Sequence, residues 1–198
     1  MNPSYDAVNQ FVRKLSGRLA RFGKILLDKV DPVTAIHVLE GAEKYKQFKY
    51  PEKAAWWKGA VKRLESSAGH DLTVEIMKAC GRKCCGIARR KTAKKLFAES
   101  LNMDDFLNKL NTHDIGGGRL KRVNDRTITG GYDSCLCGQV KYTETPFDDL
   151  TYCECSSAWF QQLFESALDQ PVEVVVNQSI IAGDDTCEFT VTLSETVS

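Results

Sequence analysis

Histidine is scarce in this chain of 198 residues: there are three, His37, His70 and His113, and none falls in a catalytic motif. No G-x-S-x-G, H-E-x-x-H or phosphate-binding P-loop occurs, so serine-hydrolase, zinc-protease and nucleotide-hydrolase chemistry have no signature here. No apolar run approaches the roughly 20 residues a membrane helix needs. The first ten residues are polar and lack the apolar core of a signal peptide. These absences point to a cytoplasmic protein in a reducing compartment. There is no internal repeat and no low-complexity tract.

Cysteine is present in quantity, with eight residues. In a secreted miniprotein an even count would read as disulfides, whereas in the cytosol it reads as metal binding or thiol chemistry. The rest of the composition is ordinary for a globular domain, at 42% apolar and 27% charged. The net charge of +1 hides an asymmetry: residues 1–100 carry 21 Lys and Arg against 10 Asp and Glu, and residues 101–198 carry 6 against 16. Either the two halves attract each other or the basic face meets an anionic partner.

The first hundred residues carry helical periodicity. Val8, Phe11, Val12, Leu15, Leu19, Phe22 and Leu26 recur at three- and four-residue spacing and predict one long helix. Asp31-Pro32 is a cap followed by proline at the first helical position, and the helix it opens should turn Val33, Ile36 and Leu39 inward. Pro51 opens another, with Trp57, Ala60, Val61 and Leu64 on one side. Asp71 caps a helix whose stripe is Leu72, Ile76, Cys80, Cys84 and Ile87, running on to about Ala98. Asn102 and Asp105 resemble a capping box for a short helix through Leu110.

Past Gly116-Gly117-Gly118 the period changes. Leu120, Val123, Ile128 and Tyr132 lie in short strand-like runs separated by Asn124-Asp125 and Gly130-Gly131. Residues 139–143 form another strand candidate and 146–151 a loop. From Ser156 the helical period returns through Trp159, Phe160, Leu163, Phe164, Ala167 and Leu168 until Pro171 stops it. Residues 172–181 and 186–193 read as a hairpin. Helices segregated from strands predict α+β architecture, a helical N-terminal half packed on an antiparallel sheet. The expected organisation is a helical region at 1–115 and a mixed region with one helix at 116–198, folded as a single unit.

Six cysteines carry the expected chemistry. Cys80 and Cys84 are four apart and share a helix face, where they either present two thiolates to one ion or fill the core. Cys85 is turned away from both by about 100°. Cys135 and Cys137 form a C-x-C pair before Gly138, which would permit a tight turn. Cys153 and Cys155 form a second C-x-C pair at a helix N-terminus, where the backbone N–H groups and the macrodipole favour a thiolate. Two such pairs joined by a polar loop point to a shared metal or redox site. The candidate metal ligands are Cys80, Cys84, Cys135, Cys137, Cys153 and Cys155. Zinc takes four ligands, and an iron–sulfur cluster is the alternative. Cys187 reads as core.

The segment from Cys153 through Trp159 and Glu165 to Pro171-Val172-Glu173-Val174, closing on Gly183-Asp184-Asp185-Thr186-Cys187-Glu188-Phe189, resembles the C-terminal half of 4-vinyl-reductase-type domains. It also resembles L-2-amino-thiazoline-4-carboxylic acid hydrolase-like proteins. With the C-G-x-x-C of Cys80 to Cys84 and both C-x-C pairs, residues 80–193 are similar to a bacterial and archaeal family related to both. The resemblance implies a small-molecule-binding domain with a ligand cavity between sheet and helices, cysteines that hold a metal in some members, and hydrolase activity as a looser import.

Three functions follow as expectations. The first is a cysteine-rich, zinc-binding, small-molecule-binding or sensor-like domain with Trp159 and Phe160 walling the pocket. The second is a metal- or thiol-dependent hydrolase acting on a small heterocyclic substrate, with Cys153 or Cys155 as nucleophile and His113-Asp114 as base and orienting acid. The third, nucleic-acid binding by Arg82, Lys83, Arg89, Arg90, Lys91, Lys94 and Lys95, lacks any reading motif and is set behind a solvated helix face. The expected partner is a small-molecule ligand, with no nucleic acid and no membrane, and a homodimer left open.

Overall fold

A computed structural model describes residues 3–113, 115 and 117–196. The predicted first helix is two. Helix α1 (Tyr5–Lys14) ends at Leu15, and α2 (Gly17–Lys29) restarts at Gly17, whose φ of 60° belongs to the left-handed region. Both turn their stripes inward: Val8, Val12, Leu19, Phe22 and Leu26 are buried. Helix α3 (Pro32–Val38) begins as read, with the Asp31 carboxylate accepting from the Val33 and Thr34 amides. It buries Ala35, Val38 and Leu39 but leaves Val33 exposed and Ile36 half-buried. Helix α4 (Tyr50–Ala68) buries the predicted Trp57, Ala60, Val61 and Leu64.

The long helix predicted from Asp71 to Ala98 is also broken. Helix α5 (His70–Cys84) stops at Cys85-Gly86, and α6 (Ile87–Ala98) starts afresh with Ile87 exposed rather than buried. The break swings Cys85 into the apolar cluster beneath α6, away from Cys80 and Cys84. Helix α7 (Met103–Thr112) is capped as expected by the Asn102 side chain, which accepts from the Asp105 amide.

Two strands follow, β1 (Lys121–Asn124) and β2 (Thr127–Tyr132). Gly130 and Gly131 lie inside β2 rather than between strands. Any side chain at Gly130 would meet the Phe189 ring and Leu120, and one at Gly131 would meet the Cys187 carbonyl. Residues 135–150 contain no strand; the predicted strand at 139–143 is a turn, held by Val140 and Lys141 amides donating to the Cys137 carbonyl. Helix α8 (Glu154–Leu168) is followed by the expected hairpin, β3 (Val172–Gln178) and β4 (Cys187–Leu193). The sheet is antiparallel throughout, in the order β1-β2-β4-β3. The protein is thus an α+β molecule with helices packed on a four-stranded antiparallel sheet.

The buried side chains form two clusters that do not divide at residue 115. One joins α1–α5 to Val140, Phe147, Tyr152 and Ile181; the other joins α6 and α7 to α8 and the sheet. Helix α8 lies against α5, α6 and β3 and stands between the two. Its N-terminus meets the last turn of α5, and the candidate site is built there.

Candidate functional site: a thiol pocket around a half-buried arginine

Glycine decides how closely α5 and α8 approach. A side chain at Gly81 would run into the carbonyl of Cys155 and the methyl of Ala158. One helical turn further on, Cys84 joins Cys155 on the wall of one cavity, near enough for each thiol to influence the other's charge. Helix α2 lies against α5 and supplies Arg18 and Arg21. Arg18 donates through Nη1 to Cys137 Sγ at 2.8 Å and through Nη2 to Cys155 Sγ at 2.9 Å. Arg21 donates to Cys84 Sγ at 3.5 Å.

These groups form one end of a cavity of about 450 Å³. Its walls are mainly apolar, from Trp159, Phe189, Val176 and Ile181. At the other end Cys153 Sγ lies 3.0 Å from Ser179 Oγ, and Ser179 Oγ lies 3.9 Å from Cys187 Sγ. Cys135 and Tyr132 complete that end. The Tyr132 hydroxyl lies 2.9 Å from Ser156 Oγ.

Five of the six predicted ligands line this cavity: Cys84, Cys135, Cys137, Cys153 and Cys155. Cys80 does not; it is buried in the helical core. Cys187 is buried, as its sequence setting suggests, yet it also forms cavity wall. The C-x-C geometry holds in a form that needs no strand. Cys135 and Cys137 sit in an extended loop with both thiols inward and Leu136 between them largely exposed. Gly138 lies outside the left-handed region, so the turn does not require it.

Arg18 decides the electrostatics. Its Nε is buried and has no hydrogen-bond partner. Among the described residues no carboxylate pairs with Arg18 or Arg21. The guanidinium lies between aromatic faces, 5.4 Å from the Trp57 ring and 5.1 Å from that of Tyr152. Trp57 is fixed in turn by donating to the Tyr45 hydroxyl at 2.8 Å, and Tyr45 donates to Gln139 at 2.6 Å. Burial works against the Arg18 charge, but Tyr152, Cys155, Cys137 and Cys84 outweigh it and hold the group firmly protonated. A cation largely withdrawn from water costs free energy unless something offsets its charge. Among the described residues, the Cys137 and Cys155 sulfurs are the groups its guanidinium nitrogens meet.

The thiols answer unequally. Cys84 is pushed down to about 5, first by its interaction with the Cys155 thiol and then, against burial, by Arg18 and Arg21. Cys155 is pushed up, by that same interaction and by burial. Burial lifts Cys80 and Cys153 to about 12 and Cys135 to about 11. The expectation that the helix N-terminus would favour a thiolate on Cys153 or Cys155 is overturned. A helix terminus contributes about 0.3–1 kcal/mol, and burial, which opposes a thiolate on either sulfur, outweighs it. The charge of the pair settles on the more exposed Cys84, at the far end of α5.

The other candidates lie elsewhere. His113 is exposed at the end of α7 and lines no part of the cavity; Asp114 lies outside the described residues. Trp159 walls the cavity as expected, while Phe160 is buried against Phe189. In the basic stretch, Arg82 pairs with Glu165 at 2.8 Å and Lys95 reaches Glu99 at 3.8 Å within its own helix. Arg18 and Arg21 were missed from sequence. Their signal is faint: two arginines three apart at the margin of the Leu15, Leu19, Phe22 stripe, where long side chains can turn over the apolar face.

A family of unknown function, DUF6144, matches residues 22–198, which include the whole cavity except Arg18 and Arg21. The chain belongs to DUF6144. No curated protein matches it. Among solved structures it is similar to the crystal structure of a trafficking protein particle complex subunit 3 from Naegleria fowleri covalently bound to palmitic acid. That similarity has 14% identity and a TM-score of 0.45 over 74% of this chain and 98% of that chain. Among the described residues no helix is long and apolar enough to cross a membrane.

Proposed function

We propose that the cavity binds a small molecule and engages it through a thiolate held on the Cys84–Cys155 pair by Arg18 and Arg21. The observation that carries this reading is the Arg18 guanidinium on two cysteine sulfurs with no carboxylate to neutralise it. A thiolate is the nucleophilic form of cysteine, and a cationic neighbour is the usual means of holding it near neutral pH. The apolar wall of Trp159, Phe189 and Val176 suits the body of a small organic ligand. The resemblance to small-molecule-binding domains supports the same reading. The hydrolase version has less support, because the cavity wall holds a single carboxylate, Glu188, and that group already meets Arg119 at 3.5 Å.

A zinc or iron–sulfur centre is the second reading, favoured by six thiols around one cavity. As placed, the donors do not fit it. Among the described residues no three of His, Cys, Asp and Glu stand together as a ligand set, and a fixed cation lies against two of the sulfurs. A metal would have to displace Arg18 from them.

Alkylation of reduced protein by iodoacetamide across pH, read by peptide mass mapping, tests the first reading, with elemental analysis run beside it. The thiolate reading expects Cys84 to be modified with a midpoint near pH 5 and metal to be substoichiometric. About one zinc per chain, or iron with Cys84 protected, would overturn it in favour of the second.

A further inference from the structure

The pocket pairs its reactive thiol with a second one that external reagents reach poorly. Cys84 is partly exposed, whereas Cys155 retains only 6% of its surface. A reagent in the cavity therefore meets Cys84 first. Cys155 is positioned to act next: it lines the same cavity as Cys84, and Arg18 lies against its sulfur at 2.9 Å. Disulfide formation needs the two Cβ atoms about 3.8 Å apart. Two helices rarely come so close, but here the glycine contact at Gly81 removes the side chain that would separate them.

From this juxtaposition of Cys84, Cys155, Arg18 and Gly81 we infer that the site carries out thiol–disulfide exchange, with Cys84 attacking a low-molecular-weight organic disulfide and Cys155 resolving the adduct. The inference rests on the thiolate reading and names its substrate class. In the first step the Cys84 thiolate attacks one sulfur of R–S–S–R. The Cys84–S–S–R bond forms, the old S–S bond breaks, and R–S⁻ leaves. In the second step Cys155 gives up its proton to the R–S⁻ already released and attacks the Cys84 sulfur. The Cys84–Cys155 disulfide forms and a second R–S⁻ is released. The protein pair loses two electrons and the substrate disulfide gains them; an external thiol reductant returns the pair to its starting state. Arg18 has two tasks. It steadies the charge of the resting pair, and it stands against the Cys155 sulfur when that sulfur must ionise. Arg21, exposed at the cavity and 3.5 Å from Cys84, favours a substrate bearing a carboxylate. The apolar wall favours one with an aromatic or aliphatic body.

Ellman's reagent, an aromatic disulfide with a carboxylate on each ring, serves as the probe on reduced full-length protein at pH 6. The expected product is a Cys84–Cys155 cross-link, found by peptide mapping, with no retained thionitrobenzoate on Cys84. Cys155→Ser should stop at the mixed disulfide and keep the adduct. Cys84→Ser should abolish the fast release. A stable adduct on Cys84 of the unaltered protein would overturn the exchange proposal and leave the thiolate standing. Failure of Cys84 to react in preference to the other cysteines at that pH would remove the thiolate reading as well. Because the cross-link is sought in the unaltered protein, poor folding of a variant would not decide the result.

Discussion

At the scale of single residues, Arg18 sets the chemistry and the cysteine spacing only supplies its material. The spacing was legible: C-x-C pairs and an i, i+4 pair foretold convergence, and five of the six do converge. The cation was not legible, because an arginine in a basic helix looks like any other solvated charge until its neighbours in space are known. Nor was Cys80, whose position on the apolar stripe admits both readings; the structure makes it core. An opposite charge at contact distance moves a titrating group by about 1–3 pH units. Arg18→Gln should therefore raise the pH midpoint of Cys84 alkylation by at least one unit, because Arg18 is among the groups that lower it. An unchanged midpoint would show that Arg18 packs against the sulfurs without stabilising their charge.

At the scale of elements, the sequence predicted periodicity well and interruptions poorly. The stripes of α2, α4, α5 and α8 were visible, whereas the breaks at Ser16-Gly17 and Cys85-Gly86 were not. A helical pattern continues across a kink, and one glycine costs only about 1 kcal/mol, too little to announce a break. The false strand at 139–143 has a similar cause: a short apolar alternation is a weak signal when tertiary contacts decide the backbone. Gly81 is the element-scale determinant of the site, since it lets α5 touch α8. Gly81→Ala should destabilise the fold by about 1–3 kcal/mol, the usual cost of overpacking, measured by urea unfolding. It should also raise the Cys84 midpoint by parting the thiols. Gly138→Ala faces open space with an unstrained backbone and should stay within about 0.5 kcal/mol. Equal effects of the two substitutions would refute the close-approach argument.

At the scale of the whole molecule, the charge division visible in sequence has a modest structural outcome. Lys58 and Lys62 meet Asp148, Lys78 meets Glu154, and Arg82 meets Glu165. Such exposed pairs are worth about 0–1 kcal/mol each. The buried thiols impose the larger pH dependence. Burial raises Cys80, Cys153, Cys85 and Cys135 to about 11 or 12, above the roughly 8.5 of an unfolded chain. Their contribution is complete below about pH 8.5 and is lost as pH rises toward the folded values. Cys84 works in the opposite sense: its folded value of about 5 gives stability that is present above the unfolded value near 8.5 and is lost as pH falls toward 5. Urea midpoints of the reduced protein should therefore be greatest near pH 8–9 on these values and fall on both sides. Cys84→Ser should flatten the limb between pH 8.5 and 5 while leaving the alkaline limb in place. A profile that keeps rising above pH 10 would contradict the burial of neutral thiols.

The central claim is that the fold holds a thiolate at neutral pH as the counter-charge to a half-buried arginine. Titration of the ultraviolet thiolate band, in the reduced protein and in Cys84→Ser, tests it most directly. The account predicts a thiolate that persists to about pH 5 and disappears in the variant, with Cys80, Cys85, Cys135, Cys153 and Cys155 ionising only in alkali. A reduced protein that gains all its thiolate absorbance above about pH 8, like free cysteine, would contradict it.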